Sequence, residues 1–376
     1  MASTKGLELR STVTSAGELQ LRLDEVELPP PGPGEVLVRI EASPINPSDL
    51  LLLLSLADLD TLQVVQTERG AGLNASVPSK AMKGLSGRLD QALSVGNEGA
   101  GPVIAAGPGA EGLIGKIVAA PAGGMYAQYR LVPAAMCLAL GDDATPSDGA
   151  SAFVNPLTAL GMVETMRREG HTALVHTAAA SNLGQMLNRL CLADGIPLVN
   201  IVRRAEQVRL LKDLGASHVL DSTAEDFATN LVEAVAETGA TLAFDAIGGG
   251  TLASQILTAM EIAANKRRVE YSRYGSNVLK QVYIYGVLDV SPTVLSRNFG
   301  LTWGMGGWLL MEFLAKLEPQ DVKRLQDRVI AELKTTFASR YTAEISLAEA
   351  IDPAVVQAYA RQATGEKYLI NPHRSA

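Results

Sequence analysis

Between residues 172 and 287, apolar runs of strand type alternate with amphipathic stretches of helical length. TALVH (172–176) precedes a helix over 181–194, PLVNIV (197–202) a helix ending at Leu214, and HVL (218–220) a helix over 223–238. TLAFDAI (241–247) then precedes a helix over 251–264, and QVYIYGV (281–287) closes the series. Strands separated in this way cannot pair as hairpins. They need right-handed crossovers, which put them in a parallel sheet with helices on both faces. The spacing therefore predicts an α/β, doubly wound, Rossmann-type domain.

The texture before residue 150 is different. Short β-rich pieces are split by Pro and Gly: EVLVRIEASPIN, in which Val36, Val38 and Ile40 alternate with Leu37 and Arg39, then GPVIAAG, GKIVAAP and YAQYRLV. A chain of 376 residues is long for one core. The division expected is a β-rich domain at 1–150, a nucleotide domain at 151–315, and a return to the first domain over 316–376 through one amphipathic helix at 319–338.

Charge and composition exclude several functions. The net charge of −8 is spread along the chain, which argues against a nucleic-acid or anionic-membrane partner. The longest apolar run, LLLLSLADL (51–59), is too short to span a bilayer, and MASTKGLELRS lacks the apolar core of a signal peptide, so a cytoplasmic protein is expected. Cys137 and Cys191 fit buried small hydrophobes, and His171, His176, His218 and His373 show no ligand spacing, so no metal site is expected.

The stretch HTAAASNLG (176–184) occupies the place of a glycine-rich phosphate turn. Ala179 stands in the first glycine position, Ser181 in the second and Gly184 in the third. Backbone N–H groups at a helix N-terminus bind phosphate, so small residues can replace glycine and Ala180, Ser181, Asn182 and Leu183 become candidate cofactor contacts. A capped helix start without a ligand would read the same way. The next strand ends in Arg203 and Arg204, where a cofactor lacking a 2′-phosphate would meet an Asp or Glu. Two guanidiniums there point to NADP(H), by bidentate hydrogen bonding to a phosphate.

Taken together, these segments resemble the zinc-independent medium-chain dehydrogenase/reductases, in particular the NADPH:quinone oxidoreductases. The likeness is carried by INPSD (45–49), GNEGAG (96–101), YAQYRLV (126–132), VNPLTALGMV (154–163), LVHTAAASNLG, LLKDLGASHVLD (210–221) and GEKYLINP (365–372), in that order. It implies a GroES-like substrate domain at the N-terminus, completed by the C-terminus, and a cofactor bound in a cleft beside the Rossmann domain. It further implies that Asn46 lies near the nicotinamide ribose, Thr158 near the nicotinamide, and Ile247, Gly248 and Gly249 under the cofactor, with Tyr285, Gly286 and Lys367 also approaching it. Zinc-dependent relatives carry Cys near Asn46 and His at Asn97, neither of which this chain has.

Without a Lewis acid the acceptor must already be electron-poor, which favours quinones and conjugated carbonyls. Enoyl-thioester reduction is the alternative. The relatives that catalyse it place a tyrosine where this chain has Ala57. A binding or sensing protein without turnover is a third reading. Two segments are longer than the resemblance implies. RGAGLNASVPSKAMKGLSGRLD (69–90) is expected to form a loop and helix near the cleft mouth. NKRRVEYSRYGSNVLK (265–280) offers Tyr271 and Tyr274, alongside Asn46, as catalytic candidates, or is a solvated loop. The run NFGLTWGMGGWLLMEF (298–313) suits a pocket wall or a homodimer contact.

Overall fold

The computed structural model describes residues 3–68, 70–266 and 272–375. The chain forms two compact units, residues 1–154 with 328–376, and residues 155–327. It re-enters the first unit at 328 and not at 316, because the first turns of the Pro319–Ala331 helix are tied to the nucleotide unit. Arg168 pairs with Asp321 at 2.6 Å and Arg324 with Glu164 at 3.1 Å. That helix ends at Ala331, short of the 338 expected from periodicity. The β-branched Thr335 and Thr336 follow in a run of turns, where Phe337 N bonds Glu332 O.

The second unit is a six-stranded parallel sheet. From one edge to the other its strands are His218–Asp221, Leu198–Val202, Leu174–His176, Leu242–Asp245, Lys280–Ile284 and Trp303–Gly307. Leu174–His176 is first in sequence yet lies in the interior, so the strand order reverses on either side of it, and open α/β sheets bind ligands at such a switch point. The residues of Leu174–His176, Leu198–Val202 and Leu242–Asp245 are all buried, as required of a parallel strand covered on both faces.

Trp303–Gly307 escapes a periodicity reading because three of its five residues are glycine and no alternation survives. Both tryptophans of this region pack inside the unit. Trp303 lies edge-on to Phe299, while Trp308 lies edge-on to Phe244 and donates to Thr165 Oγ1 at 3.1 Å.

The first unit contains two five-stranded antiparallel sheets and a small mixed one. Glu35–Arg39 pairs with Gly99–Ala106 and Tyr129–Pro133, placing Val36, Val38, Ile40, Val103, Val118 and Val132 in one apolar cluster. Leu37, on the opposite side of that strand, is buried as well, so the polar face implied by simple alternation is absent. The small sheet joins Ala343–Ile345 and Tyr368–Ile370 to Ser43–Pro44, which brings the C-terminal segment beside the INPSD segment.

The 69–90 segment departs from the loop and helix expected of it. Asp58–Thr67 and Gly70–Ser76 form an antiparallel hairpin that extends the sheet through Glu18–Leu28, because Leu73 and Ala75 supply a period-two apolar face. Only the short helix Ser79–Met82 and a 3-10 turn at Ser86–Arg88 follow. Arg88 then closes back on the Pro47–Leu54 helix. Its guanidinium donates to Leu52 O at 2.7 Å, to Ser55 Oγ, and to Ser11 O at 2.9 Å. A cation there complements the carbonyl end of the helix.

Candidate active site

In the nucleotide unit, the strand Leu174–His176 runs into a tight turn. Ala178 takes a left-handed backbone (φ 51°), so the strained residue lies one position before Ala179, the residue aligned with the first glycine. Ser181 caps the Asn182–Asp194 helix, its Oγ accepting from Gly184 N at 3.1 Å. Gly184 allows the helix to close on the strand: a Cβ there would stand 2.2 Å from Ala179 O. The motif thus keeps its packing glycine, and Ala180, Ser181, Asn182 and Leu183 form the start of a helix whose positive end suits an anion.

Arg203 and Arg204 follow the adjacent strand and are exposed. Ala179 N bonds Ile201 O at 3.2 Å, which fixes the turn against that strand and puts both guanidiniums at the same end of the sheet. Arg204 is the residue before the Ala205–Asp213 helix, and its ion-pair partner among the described residues is Glu206, at 3.7 Å.

On the other side of the switch point, Asp245 locks the turn that carries Ile247, Gly248 and Gly249. It accepts from Thr177 Oγ1 at 2.7 Å, Ile247 N at 2.9 Å and Gly248 N at 3.1 Å. Gly248–Gly250 is a short strand paired with Asp289–Thr293. Tyr285 and Gly286 follow the Lys280–Ile284 strand, and Tyr285 stacks on His176 with their OH and Nε2 2.7 Å apart. Burial pushes His176 down to about 3, so it stays neutral and serves as a hydrogen-bonding partner.

In the first unit a buried polar cluster surrounds Asn46. Asp49 accepts from Asn46 N and from Asn97 N, both at 2.8 Å, and so ties the helix start to the GNEGAG loop. Burial raises its pKa to about 7. Asn46 and Asp49 occupy the reciprocal capping-box positions at the helix start. The Asn46 Nδ2 donates to Glu98 Oε1 at 2.8 Å, while its buried Oδ1 has no partner. Such an acceptor suits an incoming hydroxyl or amide donor.

Glu98 also accepts from Phe153 N at 3.1 Å and Val154 N at 2.8 Å. Burial raises its pKa, while Lys367 and these hydrogen bonds oppose the shift. The strand that follows it, Gly99–Ala106, packs closely at Gly101, where a Cβ would lie 1.8 Å from Arg39 O. Lys367 is buried and donates to Ser151 Oγ at 2.7 Å.

The expected residues therefore assemble within each unit. Asn46 and Lys367 belong to one cluster; 180–183, Arg203, Arg204, 247–249, Tyr285 and Gly286 share the strand ends of the other. Thr158 is buried on the Val154–Arg168 helix. Tyr274 is 55% exposed, with the Arg273 guanidinium 4.7 Å over its ring, and belongs to no buried polar cluster. Tyr271 lies outside the described residues. The residues that sequence reading passed over are Glu98, Ser151 and Tyr341 in the first unit and Asp245 in the second. Of these only Glu98, a lone carboxylate inside the glycines of GNEGAG, carries a visible sequence signal.

Asn97 and Asn46 are weak zinc ligands, and both side chains donate elsewhere, Asn97 Nδ2 to Ser48 Oγ at 3.1 Å. Among the described residues no group of three or more His, Cys, Asp or Glu is placed to hold a metal ion, and no helix is long and apolar enough to cross a membrane.

Comparison with known proteins places these features. Residues 32–142 match the alcohol dehydrogenase GroES-like domain. The chain is 28% identical to a putative NADPH:quinone reductase from Mesorhizobium loti, with a TM-score of 0.74 and 98% of each chain covered. It is 27% identical over 305 residues to a mycocerosic acid synthase-like polyketide synthase of Mycobacterium tuberculosis, covering 79% of this chain but 13% of that protein. It is also 27% identical over 209 residues to the mitochondrial enoyl-[acyl-carrier-protein] reductase of Bos taurus, covering 53% of this chain and 48% of that protein.

Proposed function

Since this chain belongs to the medium-chain dehydrogenase/reductase family, we propose that it is an NADPH-dependent oxidoreductase that passes hydride to a quinone or related conjugated carbonyl without zinc. The observation that carries the cofactor half is the pairing of the Ser181-capped helix start with Arg203 and Arg204 at neighbouring strand ends. The helix receives the pyrophosphate and the guanidiniums the 2′-phosphate. Asn46 Oδ1, buried and without a partner, suits a ribose hydroxyl as its acceptor. When bound, the cofactor supplies the hydride.

The acceptor half follows from the chemistry of the donors. Asn46 and Asn97 stand where a zinc enzyme needs Cys and His, so the site offers no zinc ligands to hold a Lewis acid against a simple ketone, and an acceptor with a low-lying empty orbital suits it. Enoyl-thioester reduction is the second reading, supported by Lys367, an ammonium able to protonate a carbanion-like product. Ala57, in the turn before the Asp58–Thr67 strand, brings no hydroxyl for that purpose.

The test is NADPH oxidation with benzoquinone, naphthoquinone and a crotonyl thioester, each with and without a chelator. The quinones are expected to react at least about tenfold more efficiently, about 1.4 kcal/mol in the barrier, with no loss on chelation. A thioester favoured by that margin overturns the acceptor, and activity lost to chelation and restored by zinc overturns metal independence. NADPH binding without oxidation of any acceptor would point to a sensing role.

The proposed assembly is a homodimer paired through Trp303–Gly307. This strand lies at the edge of the sheet, carries no charge, and is flanked by Leu301 and Leu309, which are 72% and 60% exposed. Such an uncharged edge is a template for pairing. Light scattering should give the mass of two chains, and Met305→Lys that of one. A monomeric unmodified protein would exclude the pairing.

A further inference from the structure

Two buried lysines of this protein are held in opposite ways. Lys280 rests on a carboxylate, Glu261, at 2.6 Å, as a structural ion pair does. Lys367 donates instead to a hydroxyl, Ser151 Oγ, at 2.7 Å. Ser151 Oγ lies 2.8 Å from Tyr341 OH, and the ammonium lies 5.5 Å from the centre of the Tyr341 ring.

Strand pairing builds this arrangement. Ala343–Ile345 runs parallel to Tyr368–Ile370, and Thr342 N bonds Lys367 O at 2.8 Å, which sets the residues just before the two strands side by side. Lys367 and Ser151 are buried and Tyr341 is half-buried, and their three heteroatoms with exchangeable protons form one continuous hydrogen-bonded chain.

The charges facing the cluster come from several elements. Glu98 and Asp49 act on Lys367; Glu98 and Asp148 act on Tyr341, which also hydrogen-bonds Ser339. Burial lowers Lys367 to about 8 despite the attraction of Glu98 and Asp49. Burial moves the Tyr341 hydroxyl the other way, upward, so it conducts a proton only by receiving one as it gives one.

We propose that Lys367 is the proton source for the reduced acceptor and that Ser151 and Tyr341 are the hydroxyl wire that recharges it. The inference rests on the proposed reductase function. Hydride from a dihydronicotinamide forms a bond to the acceptor and leaves an enolate or quinol oxyanion. That anion takes a proton from the ammonium of Lys367, whose N–H bond breaks to leave a neutral amine. The amine takes the Ser151 proton as Ser151 takes that of Tyr341 and Tyr341 that of a water molecule. One hydride and one proton are added, the dihydronicotinamide is oxidised and the acceptor reduced. Since the acid is the charged amine, turnover should fall as pH rises through about 8.

Two measurements test this. In the protein without cofactor, labelled with 15N-lysine, exchange of the Lys367 Nζ protons with water is followed by NMR. Tyr341→Phe, which keeps the ring, should slow it at least about tenfold, in line with the loss of a positioned hydroxyl relay. An unchanged rate overturns the wire. At saturating NADPH, Lys367→Ala should lower turnover about 10²–10⁴-fold, and small alkylammonium ions should restore it in proportion to their acidity. A folded variant that binds NADPH yet retains its rate, or is not rescued, overturns the acid. If the unmodified protein binds NADPH but reduces nothing, the function reading fails together with the acid role, and the exchange rate alone decides the wire.

Discussion

Lys280→Met is expected to destabilise the nucleotide unit by about 3–5 kcal/mol, the cost of leaving a buried charge without its partner. Lys280 is fully buried and donates to Glu261 Oε2 at 2.6 Å, Ser276 Oγ at 2.9 Å and Val278 O at 2.9 Å. Glu261 also accepts from Ser276 N at 2.7 Å and from Asn265 Nδ2 at 2.8 Å. Burial works to raise the Glu261 carboxyl, yet these hydrogen bonds hold it down to about 2.

The sign of the pH dependence follows. A carboxylate whose folded pKa is depressed contributes stability that is fully present above its ordinary value near 4.5 and is lost as pH falls toward about 2. The cost of Lys280→Met should therefore shrink over that window. For a unit of this size the loss at neutral pH corresponds to a fall of roughly 10 °C in Tm, read by thermal or denaturant unfolding. The double change with Glu261→Met should recover much of it, because two apolar groups leave no orphaned charge. A single variant within about 1 kcal/mol of the unmodified protein would show that the pair is solvated. The same network pins residues 276–280 to the Leu252–Lys266 helix, so the described end of the 265–280 segment is anchored and not a free surface loop.

Changing Arg203 and Arg204 together to Ala should weaken NADPH binding about 10²-fold and leave NADH binding within about threefold. A charge-assisted hydrogen bond to phosphate is worth about 1.5–3 kcal/mol, and both guanidiniums are exposed, so salt screens part of it. The preference of the unmodified protein for NADPH should accordingly decline as ionic strength rises. Fluorescence titration with each cofactor measures all three quantities. Equal affinity of the unmodified protein for NADPH and NADH would remove the two arginines from the site.

The order of strands and helices from 172 to 287 was legible because hydrophobic period and element length are local properties of the chain. So were the phosphate-turn position, with Gly184 and the Ser181 cap, and the cationic end of the next strand, since each needs only neighbours a few residues away. Residues 303–307 were not legible as a strand: glycines carry no alternation, and only pairing with Lys280–Ile284 makes the segment extended. The hairpin at 58–76 was hidden for a related reason, since its partner strand, Glu18–Leu28, lies far upstream.

The Asn46 cluster divides the same way. INPSD, GNEGAG and GEKYLINP mark their own residues, but nothing local announces that Ser151 and Tyr341 belong with them. Their meeting is decided by strand registers that join positions 325 residues apart, as Leu369 opposite Pro44, and the bond from Lys367 to Ser151 spans 216. Local pattern can specify a turn, a cap or a strand. Which buried charge faces which hydroxyl is set by tertiary pairing, because the low-dielectric interior makes those groups seek partners wherever the fold brings them.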